Sequence, residues 1–211
     1  MAIGRRFAVL RFVDASGRDT LVVGMQGAAF ARFTPWVTIL ELVNTDWEFA
    51  APIVWRHGGR WLRLRYYHSS SHLGDEYANR FGLSGVNFSR DGVELLGYAR
   101  PVPVFGLYGG ARYDVNVHPE GSKRWVLRGG AELQFPDADG AWQPYLAFDV
   151  QSEQDTRWRP TVNVQAGLWL PKVNGRQELR LALEALTGPS PLGQFHGRHT
   201  SQVGLALLLS P

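Results

Sequence analysis

Apolar and charged residues alternate with a period of two along several stretches of the chain. In Glu178-Leu179-Arg180-Leu181-Ala182-Leu183-Glu184 the leucines fall on one face of an extended strand and the charges on the other. The same pattern runs through Leu62-Arg63-Leu64-Arg65 and through 127–133. A long sheet with one apolar face, one ionic face and no helix to cover the apolar one has two solutions. It is a sandwich with its leucines against a second sheet, or a closed barrel in lipid with its charges inside. The ionic face collects Arg63, Arg65, Arg112, Asp114, Arg128, Glu132, Asp149, Arg180 and Glu184, whose paired signs suit an enclosed, water-poor lumen. The expectation is therefore an all-β, antiparallel, up-and-down transmembrane barrel occupying 1–211 as a single domain. A soluble sandwich or lipocalin-like barrel is the alternative with the same periodicity.

Connections of two kinds take turns between the strands. Short Gly/Pro/Asp-rich links fall at 14–19, 57–60, 100–103, 136–140 and 171–176, and longer ones at 35–45, 71–85, 117–123, 152–156 and 188–200. Outer-membrane barrels have short periplasmic turns and long external loops, so the alternation assigns sides. The strands then read 6–12, 20–33, 47–56, 61–70, 86–99, 104–116, 123–135, 141–151, 158–170, 177–186 and 201–209, eleven in all. The last ends on the short-turn side and the first begins on the long-loop side, so a complete even barrel is expected to have about twelve strands. Pro52, inside the third strand, predicts a bulge there.

Composition narrows the class. The 24 glycines and eight tryptophans against two methionines favour strands, tight turns and interfacial aromatics over helices. Trp36, Trp47, Trp55, Trp61, Trp125, Trp142 and Trp158 lie near predicted strand ends, as interfacial girdles do. The 22 basic residues are interleaved with 19 acidic ones and the net charge is +3, which argues against a nucleic-acid partner. The absence of cysteine excludes a disulfide scaffold and a thiolate metal site. No apolar run approaches the roughly 18 residues of a membrane-spanning helix. The opening residues 1–13 are interrupted by arginine and do not read as a signal peptide, although an outer-membrane barrel is exported through one. The final residues, Leu209-Ser210-Pro211, lack the terminal aromatic common in such barrels.

The densest polar stretch, 65–77, lies where a strand meets a long link. Following the alternation from Leu62 and Leu64 through Tyr66 puts His68 and Ser70, and one step further His72, on the lipid-facing side. Residues two apart on one face are about 6.5–7 Å apart at Cα, within reach for an imidazole to take a proton from a serine hydroxyl. A histidine-activated serine at a membrane surface is the chemistry that cleaves lipid acyl esters. Asn87 and Asp91, on the outer side of the following strand, are the candidates to orient the imidazole. Asp75 and Glu76 are hard oxygen ligands suited to a Ca²⁺ that polarises an ester carbonyl. A plainer description also fits: a strand end at headgroup level is simply polar, with Asp75, Glu76, Arg80 and Arg90 forming a loop salt-bridge cluster. His196 and His199, in the link before the last strand, form a second candidate metal pair.

Four strings carry a family resemblance: 68–76, Asn87-Phe88-Ser89-Arg90-Asp91, Tyr108-Gly109-Gly110 and 188–195. From about Thr20 onward the chain resembles domain-of-unknown-function family 1207 of Gram-negative bacteria. The resemblance implies an outer-membrane barrel exported through a signal peptide, and no established activity. A more local similarity is to outer-membrane phospholipase A and the lipid A deacylases, which carry an H-x-S pair on an outward strand face with Asn or Glu on a neighbouring strand. His68 and Ser70 match that pattern, Ser71 stands where asparagine is usual, and the third member has no matching spacing.

Three functions are expected to compete. One is hydrolysis of a lipid acyl ester by Ser70 as nucleophile and His68 as base, with Asn87 or Asp91 as orienter and membrane lipid as the partner. The others are a narrow passive channel for small solutes, and a structural barrel presenting its long loops to an envelope protein.

Overall fold

The structure, a computed structural model, describes residues 1–34, 40–135, 142–173 and 177–210. Eleven strands follow in chain order: β1 (Ala2–Val13), β2 (Asp19–Thr34), β3 (Glu41–His57), β4 (Arg60–Leu73), β5 (Phe88–Val102), β6 (Phe105–His118), β7 (Trp125–Gln134), β8 (Gln143–Glu153), β9 (Pro160–Val173), β10 (Gln177–Pro189) and β11 (His199–Ser210). They form one antiparallel sheet in which each strand pairs with its neighbours in sequence. A short helix, α1 (Asp75–Phe81), lies between β4 and β5. The predicted turn at 136–140, and the parts of the predicted links at 35–39 and 174–176, lie outside the described residues.

The sheet curls but does not close. β1 and β11 are its two edges, and no ladder joins them among the described residues. With eleven strands the two edges run in the same direction, so they cannot pair with each other antiparallel. Both nevertheless line one cavity of about 860 Å³, with Met1, Ala2 and Phe30 on one side and Val203, Leu205 and Leu207 on the other. The opposite walls also share space: β3, β5 and β10 line a common cavity through Arg56, Tyr98 and Arg180.

The period of two sorts the side chains as the sequence pattern predicts. The concave face holds ion pairs. Arg65 reaches Glu48 at 2.7 Å and Glu94 at 2.9 Å, and Arg63 reaches Glu94 at 2.8 Å. Arg112 pairs with Asp114 at 3.0 Å and Arg128 with Asp149 at 2.8 Å. The convex face carries the leucines, uncovered by any second sheet among the described residues. Leu205 is 83% exposed, Val203 73% and Leu183 54%. Fully covering one such side chain is worth about 1.5–3 kcal/mol, and a domain's net stability is only about 5–15 kcal/mol. A face built of them thus carries a larger unused driving force than the fold's own margin.

Glycine makes room on the concave face where large side chains cross it. A Cβ on Gly92 would stand 2.8 Å from the Tyr67 ring and 2.8 Å from the Asp114 carboxylate, so only glycine lets those two meet. Tyr67 donates a hydrogen bond to Asp114, and both side chains are fully buried.

Three expectations need correction. Pro52 makes no bulge: β3 keeps one register with β4 through Pro52↔Arg65, and its register with β2 is the same at Val23↔Ile53 and Gln26↔Ala50. What proline does is interrupt the β2 ladder between those pairs, as a residue without an N–H must. β3 begins at Glu41, six residues before the predicted start at Trp47, because Asn44 is buried as a side-chain bridge to Asp46 and Ser71. Trp61 leaves the predicted aromatic girdle for the concave face, where it stacks on Tyr98 at 5.5 Å and 7°. Trp47, Trp55, Trp125, Trp142 and Trp158 are exposed, and Trp36 lies outside the described residues.

Candidate active site

β4 pairs with β3 and β5 without a register shift along 60–71, and this sets the neighbours of the outward polar residues. His68 lies between Phe49 and Asp91, and Ser70 between Trp47 and Ser89. The convex side of β4 is thus Leu62, Leu64 and Tyr66 toward the short turns, then His68, Ser70 and His72 toward the long connection. On the other face of the same strand, Arg65, Tyr67 and Ser71 are buried.

His68 Nδ1 lies 2.8 Å from Asp91 Oδ1. A carboxylate only accepts, so Nδ1–H donates, and in the neutral imidazole this tautomer leaves the lone pair on Nε2. Asp91 accepts a second, longer hydrogen bond from the Tyr66 hydroxyl at 3.4 Å. The imidazole is therefore held by a carboxylate that is itself held. Ser70 stands two residues further along the same face, and no hydrogen bond joins it to His68 among the described residues. Apo hydroxyl–imidazole contacts are commonly longer than in the reacting complex.

Of the two orienter candidates, the structure brings Asp91 to His68 and leaves Asn87 apart. The β4–β5 ladder ends at Ser71↔Phe88, so Asn87 lies beyond it, exposed. Asp75 and Glu76 sit in the first turn of α1 and not in an irregular loop, where negative charge complements the helix N-terminus. Both are exposed, and no group of three or more His, Cys, Asp or Glu suited to a metal ion exists among the described residues. The loop salt-bridge cluster does not form either. Arg80 pairs with Glu41 at 3.2 Å, and Arg90 turns to the concave face, where it meets Asp114 and Asp155.

His196 and His199 do not meet at a common site. His196 Nε2 lies 3.1 Å from Asp155, and His199 Nε2 lies 3.2 Å from Ser201. The segment between β10 and β11 folds across the long-connection end of the concave face. Gln194 anchors it there: its amide donates to the carbonyls of Ser71 and Val86 at 2.7 Å each, accepts from the Val86 N–H at 2.8 Å, and its backbone N–H donates to Ser71 Oγ at 3.0 Å. Gly193 permits the approach, since a Cβ there would stand 2.5 Å from both Ser71 and Phe88.

Sequence periodicity puts Tyr66 and Ser89 on the outward face but assigns neither a place in the cluster. Tyr66 is on the face of His68 by the same alternation, and its hydroxyl was the available signal. Ser89 faces Ser70 through a register that the sequence does not specify.

The fold and site together define a single curled up-and-down sheet with an ionic concave face, an apolar convex face and an Asp–His pair on the apolar side. The chain belongs to the family described as Protein of unknown function (DUF1207), which matches residues 1–209. No curated protein and no solved structure matches the chain.

Proposed function

We propose that the chain is the wall of an outer-membrane β-barrel that hydrolyses an acyl ester of a membrane lipid on its outer face. The observation that carries the reading is the 2.8 Å contact between His68 Nδ1 and Asp91 on the leucine-bearing face, with Ser70 two residues along the same strand. In the barrel, the exposed leucines meet hydrocarbon and the polar end of β4 lies at headgroup level.

Ser70 Oγ attacks the ester carbonyl while its proton passes to His68 Nε2. Asp91 keeps Nδ1–H oriented and balances the imidazolium. Collapse of the tetrahedral adduct breaks the ester C–O bond, and the departing alcohol takes the proton from His68. Water, deprotonated by the same nitrogen, then releases the fatty acid and restores Ser70. Ser89, register partner of Ser70, offers a hydroxyl donor on that face. The test is release of fatty acid from phospholipid in mixed micelles, with and without Ca²⁺, by the parent protein and by Ser70→Ala and His68→Ala. Activity in the parent lost in both variants at unchanged heat-modifiable migration is the expected result. An inactive parent under every condition removes the reading.

A second reading, a structural barrel offering its loops to an envelope partner, is favoured by the Gln194-anchored segment across the long-connection end. The passive channel has less support, since ion-paired arginines such as Arg65 and Arg112 line the concave wall and the same segment lies across its end.

A further inference from the structure

The two edges of the sheet are its barest strands. Leu205 is 83% exposed and Leu207 66%, against 45% for Leu146 and 45% for Leu181, which stand on strands with a neighbour on each side. On β1, Ile3 and Phe7 are exposed as well. β11 has no proline, arginine, lysine or carboxylate and no register shift against β10, so nothing blunts its edge. β1 keeps one register with β2 from Ala2 to Ala8 and shifts only between Ala8 and Leu10. A row of unpaired amides on such an edge is a template for a further strand in water, and in lipid those amides have no other partner.

The direction of the edges limits what that strand can be. β1 and β11 run the same way, so a strand antiparallel to one is antiparallel to the other. A second copy in the same orientation offers only edges that run with β1 and β11, and so only a parallel ladder. The side chains along the seam set the chemistry. On the concave side it is flanked by Ala2, Gly4 and Ala8 from β1 and by Gly204 and Ala206 from β11, and a Cβ on Gly204 would meet nothing within 4 Å. These small residues leave room for inward side chains of an added strand. Arg6 stands in the same inward row. Its Nε donates to Gln26 at 3.1 Å and it makes no ion pair among the described residues, while Glu48 is taken by Arg65. Neither β1 nor β11 contains a carboxylate. We infer that β1 and β11 together bind an extended segment of a partner polypeptide by strand addition, antiparallel to both, with apolar side chains alternating outward and an acidic side chain inward toward Arg6. The inference stands on the two edges and is independent of the hydrolytic reading.

The probe is a synthetic peptide with the sequence of β10, Gln177–Pro189, which pairs antiparallel with β11 in the fold and alternates its leucines with Glu178 and Glu184. A peptide of the same composition in shuffled order, without alternation, is the comparison. Hydrogen exchange of the whole protein in detergent micelles is followed as each peptide is added. The β10 peptide is expected to slow exchange in β1 and β11 together and to leave β5 to β7 unchanged, and the shuffled peptide to do neither. A peptide with Glu178→Gln and Glu184→Gln is expected to need about tenfold or more concentration for half protection, the usual worth of a charged hydrogen bond. Arg6→Gln in the protein is expected to abolish that difference, and the peptide substitutions carry the charge test without altering the protein. Protection by neither peptide, equal protection by both, protection of one edge alone, or equal binding of the acidic and amide peptides would overturn the proposal. Edges already protected without peptide, in a protein of twice the monomer mass by light scattering, would assign them to a second copy and overturn it as well.

Discussion

Tyr67 reaches Asp114 across the strand that separates them because residue 92, midway between, has no side chain. β5 lies between β4 and β6, so the hydroxyl must pass over its backbone. Arg112, also on Asp114, and Arg90 close the group. Gly92→Ala inserts a methyl against the Tyr67 ring, the Asp114 carboxylate and the Tyr113 carbonyl, each 2.8 Å away, and two of these are buried with no room to move. The expected loss is about 1–3 kcal/mol, read as a lower urea midpoint at an unchanged slope.

The Asp91–His68 pair makes a graded kinetic prediction. Asp91→Asn keeps the shape but no longer fixes the imidazole as a Nδ1–H donor, so kcat is expected to fall by about 10²–10⁴ with little change in KM. Tyr66→Phe removes only the longer hydrogen bond to Asp91 and is expected to cost less than about tenfold. Equal losses in the two variants would contradict the assigned order of the contacts.

The strand plan was legible in the sequence and the closing contacts were not. Alternation in Leu62-Arg63-Leu64-Arg65 and 178–184 places eleven strands and both faces, because a period of two is a local property of each segment. The Asp91 partner was legible for the same reason, since both residues are outward by count. Registers are not local, so Asp91 and Asn87 stayed equivalent until the ladder placed Asp91 opposite His68. Nor was the anchoring of the 190–198 segment visible: its prolines and glycines read as solvated loop, while Gln194 finds its partners more than a hundred residues earlier in the chain. Trp61 misled because its place at a strand end matched a girdle, whereas its parity with Arg63 and Arg65 put it inside.

Among the described residues, Gln194 is the one residue of the β10–β11 segment that hydrogen-bonds to β4. Gln194→Ala removes three side-chain hydrogen bonds to Ser71 and Val86. It is expected to cost about 1–3 kcal/mol and to raise hydrogen exchange across 190–198 while that of β6 to β8 stays as before.

The short turn between β1 and β2 carries a pH signature outside the strands. The Ser16 hydroxyl donates to Asp14, the Asp19 N–H adds a second hydrogen bond at 2.8 Å, and together they hold the Asp14 carboxyl below its ordinary value. A depressed folded value means that the stabilisation is present above the unfolded value and is lost as pH falls through the folded one. Ser16→Ala is expected to move the Asp14 titration, followed by carboxyl NMR, up toward the ordinary carboxylate range. An unmoved titration would assign the shift to the backbone donors.

The account rests most directly on where Leu64, Leu183 and their face meet hydrocarbon while Arg65 and its face do not. Single-cysteine variants at Leu64, Leu183 and Ala182, on the cysteine-free chain, carry a fluorophore in reconstituted vesicles containing brominated lipid. The account predicts strong quenching by the brominated chains at 64 and 183 and little at 182, which lies buried on the opposite face. Quenching at 64 and 183 by an aqueous agent, with no effect of brominated lipid, would contradict it.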